Sequence, residues 1–252
     1  GIPGNILTGT YDMLTKPVSL LLISLILFSI PFETRSQTGY RGPFSIENEQ
    51  FAIWNGREYI PVFMKGINMG IAVPGTQPGQ LAASRVDYRR WFHLIREAGY
   101  NTIRLYTLHY PRFYEELHRF NTEYPANPLL VIQGIWLDEQ ETPTDLFDLT
   151  SGFSQEIREV VRAVHGDIFI QSRFGKAYGD YSTDISRWVA GYLIGREVFP
   201  SEVALTNLGH PEENSYNGTY FQLEGGVDPA EVWVAQRLDS LTIYESQHFR
   251  SV

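Results

Sequence analysis

The stretch "GYLIGREVFPSEVALTN", Gly191 to Asn207, decides how the rest of the chain is read. Its first half is apolar and of strand length, and its second half, opened by Pro200, reads as a helix. Between them stands the pair Arg196 and Glu197. A buried strand has little reason to end in charge unless its end opens onto water or a ligand. The fold therefore turns on whether the other strand-like runs end in the same way.

They do, from Pro61 onward. "PVFMKGIN" (61–68), "NTIRLYTLH" (101–109), "PLLVIQGIW" (128–136) and "VAGYLIG" (189–195) read as strands, each followed by helical periodicity, the alternation of a parallel sheet with helices outside it. In the first helix Ser84 and Asp87 have capping-box spacing, Tyr88, Trp91, Ile95 and Ala98 recur at helical intervals, and Gly99 supplies the stop. Pro111 opens a second helix that buries Phe113, Leu117 and Phe120. A third carries Ile157, Val160, Val161 and Val164 before Gly166. "DIFIQSRFGKAYGDYSTDIS" inserts a short hairpin. A long last helix follows Asp228, with Pro229 in its first turn and Glu231 completing a capping box. Ahead of these units, "FAIWNGREYIPVF" forms a hairpin through Asn55-Gly56, the dipeptide of the tightest turns.

The expected fold class is therefore α/β: a partial (β/α)8 TIM barrel of about four β/α units, preceded by a short β-hairpin. A full barrel takes about 250 residues, so either the sheet is open or residues 38–252 are the N-terminal half of a barrel. The second reading is expected, because the final helix has no return strand. A half-barrel leaves two unpaired edges, which favours edge-to-edge association; the oligomeric state stays open.

Composition narrows the function. With 20 Lys and Arg against 29 Asp and Glu, the formal charge is −9, and no basic stripe offers itself to nucleic acid. The absence of cysteine excludes disulfides and thiolate chemistry. The six histidines show no ligand spacing, so no metal is expected. "GTQPGQ" lacks the GK[ST] of a phosphate cradle, and Asn217-Gly218-Thr219 fits the N-glycosylation pattern. Residues 1–37 resemble a leader: from Met13, Lys16 precedes the apolar run Val18 to Phe32 and a polar stretch follows, as in an export signal. The run is short for a membrane span of roughly 20 residues. Export to a periplasm or the cell exterior is expected, with membrane association through residues 18–32 as the alternative.

In a parallel barrel the carboxyl ends of the strands gather round the active site. Those ends carry Lys65 and Asn68 at the first strand, then Arg104, Tyr106 and His109 at the second. The third carries Gln133, Trp136, Asp138 and Glu139, and the fourth Arg196 and Glu197. A carboxyl at such a mouth, partly shielded by aromatic and apolar walls, suits a general acid/base. The structural alternative is an ion pair of Glu197 with Arg104 or Arg196 that merely finishes the strand.

Taken together and in order, "PVFMKGINMG", "GYNTIRLYTLHYPRFYEELHRFN", "PLLVIQGIWLDE" and "GYLIGREVFP" resemble the (β/α)8 barrel of retaining glycoside hydrolases, in the large clan with catalytic glutamates on strands four and seven, nearest to its family 2 type. The similarity runs from about Phe51 to Val252. It implies a glycosidase or transglycosylase acting on an oligo- or polysaccharide through a covalent glycosyl intermediate, with no cofactor. Glu197 then takes the acid/base position, Arg104 the place beside the nucleophile, and Tyr106 or Trp136 a sugar-stacking surface, with Asn68 and Glu139 on the same rim. Arg196 departs from the clan, which usually has an asparagine there that binds the sugar 2-hydroxyl. An arginine suits an acidic sugar, or a site remodelled for binding without hydrolysis. Retention needs a second carboxylate about 5 Å away; the strand-seven nucleophile lies outside this sequence, and Asp138 or Glu139 is the stand-in within it. A carbohydrate-binding or envelope-associated barrel without catalysis is the competing reading.

Overall fold

The computed structural model of the chain describes residues 42–77 and 80–249, all within one unit, Tyr40–Val252. The leader-like segment and its apolar run 18–32 lie outside the described residues. Among the described residues, no helix is long and apolar enough to cross a membrane.

The chain opens with a three-stranded antiparallel sheet, β1 (Phe44–Glu47), β2 (Gln50–Trp54) and β3 (Tyr59–Pro61), in the order β1-β2-β3. The expected hairpin is thus a meander. β1 joins β2 through Asn48 and Glu49, both at positive φ (51° and 64°), the backbone twist that suits a two-residue hairpin. The turn at Asn55-Gly56 is longer than expected: β2 ends at Trp54 and β3 starts at Tyr59. The Asn55 side-chain carbonyl accepts the N–H groups of Arg57 and Glu58 at 2.8 and 2.9 Å, so an Asx-type turn closes the loop.

Next comes the parallel sheet: β4 (Gly66–Met69), α1 (Arg85–Glu97), β5 (Thr102–Leu105), α2 (Pro111–Glu123), β6 (Leu130–Ile135) and α3 (Thr150–Val164). A small antiparallel pair, β7 (Ile168–Ile170) and β8 (Gly179–Tyr181), precedes β9 (Val189–Ile194) and α4 (Pro200–Gly209). A two-rung hairpin, β10 (Tyr216–Asn217) and β11 (Gln222–Leu223), leads into the long α5 (Pro229–Phe249). β4, β5, β6 and β9 pair in parallel and in that order. The protein is therefore mixed α/β, with a four-stranded parallel sheet and a separate three-stranded antiparallel one.

The first parallel strand begins later than its apolar run suggested, because the start of that run belongs to another sheet. Pro61 pairs with Ala52, and the Val62 N–H donates to the Phe51 carbonyl at 2.8 Å. Asn101 then pins the crossing segment, donating to the Phe63 carbonyl and accepting from the Lys65 N–H at 2.9 and 2.8 Å.

Helices cover one face of the parallel sheet. Ile103, Leu105, Val131 and Ile135 meet Tyr88, Phe92 and Ile95 of α1, Phe113, Leu117 and Phe120 of α2, and Ile157, Val160, Val161 and Val164 of α3 in one buried cluster. Each such side chain contributes about 1.5–3 kcal/mol when fully buried. Phe92, rather than the expected Trp91, occupies the centre of the α1 stripe; Trp91 is only partly buried. The capping box is formed, with the Asp87 N–H donating to Ser84 Oγ and the Ser84 N–H to Asp87 Oδ2. Alternation places Asn68, Arg104, Ile132, Gly191 and Leu193 on the opposite face, where Asn68 and Leu193 are exposed.

Candidate active site

The strand ends gather the expected residues into two groups. The first rests on β4 and β5. Asn68 pairs in register with Arg104, and the Arg104 guanidinium lies over the Tyr106 ring, 4.3 Å from its centroid. Nε of Arg104 is buried and has no hydrogen-bond partner among the described residues. A guanidinium carries its donors in a fixed fork, and in Arg104 this one donor is left unpaired among the described residues. The Tyr106 ring is 37% exposed and presents an aromatic face on the same rim.

The second group is the connection from β9 to α4. Gly195, at φ +84°, donates its N–H to the Ile135 carbonyl at 2.8 Å and ties the strand tip to β6. Arg196 follows, and its guanidinium turns into the protein. It forms a bidentate ion pair with Glu202 at 2.7 and 2.9 Å, with side chains only 2% and 1% exposed. Hydrogen bonding and charge within the pair push the Arg196 pKa up and, against the opposing effect of burial, hold Glu202 below the usual carboxylate range. Arg196 is thus committed to Glu202, and the acidic-sugar contact expected of it is not presented. Glu139 stands near enough for its charge to favour the guanidinium as well.

Glu197 takes no part in that pair. It is exposed, and among the described residues its carboxylate makes no hydrogen bond or ion pair. Neither Arg104 nor Arg196 takes it up, so the ion pair that would merely finish the strand is not formed. The shielding expected around it is not supplied by the described residues. Through the ladder, Arg104 stands level with Ile132 and Gly191, two strand spacings or roughly 10 Å across the sheet from β9 and below the tip that carries Glu197.

The remaining candidates divide. Trp136 is partly buried at the β6 end, and Asp138 and Glu139 beyond it are exposed; Asp138 pairs with Lys176 at 2.8 Å. Gln133 and His109 belong to the core. Gln133 is fully buried and accepts the Tyr114 hydroxyl at 3.0 Å. The ring of His109 is sealed beside Tyr88, with Nδ1 2.7 Å from its hydroxyl. Glu202 escaped sequence reasoning. Its only trace in the sequence is its place three residues after Phe199, where its carboxylate accepts the Phe199 N–H at 2.8 Å, half of a capping box without the usual Ser or Thr.

A cavity of about 1270 Å³ lies elsewhere, lined by Trp54, Tyr59, Asn101, Pro128, Trp188 and Glu245 among others. Asn101, Pro128 and Trp188 precede their strands, so it opens at the amino ends of the sheet, and none of the candidate rim residues lines it. Among the described residues no group of three or more His, Asp or Glu is placed to hold a metal ion. Comparison of the chain with protein-family models, with curated proteins and with solved structures finds no match.

Proposed function

We propose that this chain is the acid/base-bearing half of a retaining glycosidase or transglycosylase barrel, with Glu197 as the acid/base. One observation carries the reading: an exposed carboxylate without a partner, at the carboxyl end of the fourth of four consecutive parallel strands. The order β4-β5-β6-β9 is that in which a (β/α)8 barrel lays down its strands. Among the described residues the outer edges of β4 and β9 pair with no other strand, and a closed barrel supplies such partners.

In this mechanism the Glu197 carboxyl gives its proton to the departing glycosidic oxygen as the bond to the anomeric carbon breaks. A second carboxylate, on a strand beyond those described, attacks that carbon from the opposite side. Glu197, now a carboxylate, takes a proton from water or from an acceptor hydroxyl, and that oxygen displaces the enzyme carboxylate. Arg104 and Asn68 orient the sugar or the nucleophile, and Tyr106 and Trp136 offer stacking faces. No cofactor enters, the substrate is an oligo- or polysaccharide, and the leader-like segment supports export.

The lack of shielding around Glu197 among the described residues favours one other reading: a carbohydrate-binding barrel without turnover. Full-length protein assayed on a panel of chromogenic glycosides separates the two. The enzyme releases chromophore, and Glu197→Gln lowers kcat by about 10²–10⁴, the usual range for an acid/base. A binding module holds oligosaccharide equally well with either residue and releases nothing.

A further inference from the structure

The connection that carries Glu197 is held at Gly195, at the Glu197 carbonyl and at the Phe199 N–H, and the Arg196 side chain links it to two further elements. Arg196 directs Nε to the Leu137 carbonyl at 3.2 Å, Nη1 to the Glu197 carbonyl at 3.2 Å, and Nη1 and Nη2 to the two Glu202 oxygens. Four of the five N–H donors of a guanidinium are thereby used. Glu202 passes the constraint on, accepting the Phe199 N–H. Its own carbonyl accepts Thr206 Oγ1 at 2.8 Å, and Thr206 Oγ1 accepts the Leu146 N–H at 2.9 Å. With Gly195 tied to Ile135, the segment from 195 to 199 is gripped from β6, from the loop after it and from α4. The Glu197 side chain projects from it without restraint.

We propose that Arg196 is a positioning residue for Glu197: the Arg196–Glu202 fork fixes the backbone of the β9–α4 connection, and with it the point at the strand tip from which the Glu197 side chain starts. This rests on the functional reading of Glu197 given above. A buried ion pair is a poor way to gain stability, because an apolar pair of similar volume does as well or better. What an apolar pair cannot do is hold two backbone carbonyls and a helix N-terminus at once. Fixed placement is also what an acid/base requires, since a displacement of about 1 Å costs on the order of 100-fold in rate.

Two variants of the full-length protein separate positioning from stability. The apolar pair Arg196→Met with Glu202→Leu keeps the core filled, and Arg196→Lys keeps the charge toward Glu202 while losing the fork. Both are expected to unfold cooperatively near the wild-type temperature. Amide hydrogen exchange at Phe199, whose N–H Glu202 accepts, is expected to rise about tenfold or more in Arg196→Lys. On glycosides, kcat falls about 100-fold with KM within about threefold, and Arg196→Lys does not rescue it. Wild-type exchange at Phe199 in Arg196→Lys overturns the proposal, as does wild-type kcat in either variant. Full activity in Glu197→Gln instead overturns the functional reading, and the exchange measurement then decides the clamp by itself.

Discussion

Arg104 lays its guanidinium on the ring of Tyr106, 4.3 Å from the centroid, while its Nε stays buried without a hydrogen-bond partner among the described residues. A desolvated donor left unpaired costs about 1–3 kcal/mol, and such a cost persists where a function needs the group. Arg104→Leu is therefore expected to leave the melting temperature unchanged or raise it by a few degrees. If Arg104 serves the proposed sugar site, the substitution is also expected to lower oligosaccharide affinity about tenfold, or ~1.4 kcal/mol. Calorimetric unfolding and titration with oligosaccharide measure the two effects separately. A fall in stability with unchanged affinity marks Arg104 as a purely structural cation.

Gly134 lies in β6, against the backbone that leaves the end of β5. A Cβ there meets the Tyr106 and Leu105 carbonyl oxygens at 2.3 and 2.4 Å, and backbone cannot swing aside as a side chain does. Gly134→Ala is expected to cost about 3 kcal/mol or more, the range of severe core overpacking, and to displace Tyr106 from the rim. The urea midpoint measures it; a loss below ~1 kcal/mol shows that the β5 end yields easily.

His109 is fully buried, and burial, with the nearby Arg112 charge, lowers its pKa to about 3. The ring stays neutral in the folded protein, and the Tyr88 hydroxyl can donate to Nδ1. In the unfolded chain it titrates near 6.5. Between about pH 6.5 and pH 3 the unfolded state therefore binds the extra proton. Stability from this residue is complete above pH 6.5 and falls by about 1.4 kcal/mol per pH unit on acidification. His109→Gln is expected to flatten the profile between pH 4 and 6 while lowering stability at pH 7. Chemical denaturation across that range checks the slope; an unchanged slope in the variant shows that other groups set it.

The fold was legible wherever an element kept a single role. Pro111, Gly99, the Ser84 and Asp87 box and the valines of α3 all mark local geometry that the structure retains. The β7–β8 hairpin was equally plain. The run from Tyr59 to Met69 misled because one apolar stretch serves two sheets, with Pro61 in β3 and Gly66 opening β4, and periodicity does not record a change of partner. The short β1, β10 and β11 carry too few residues to show alternation.

At the site, the charged strand ends were visible but their partners were not. Whether Arg196 turns toward ligand or protein depends on how α4 docks, which brings Glu202 under the guanidinium. His109 and Gln133 sit near the rim in sequence and in the core in space, because Tyr88 and Tyr114 offer them hydroxyls from neighbouring helices.

The role of Glu197 is tested most directly by leaving-group dependence in full-length Glu197→Gln. An acid matters most when the departing oxygen is a poor leaving group, so kcat/KM is expected to fall by about 10²–10⁴ on an unactivated glycoside and far less on a dinitrophenyl glycoside. Equal losses on both substrates, or no loss on either, contradict an acid/base at residue 197.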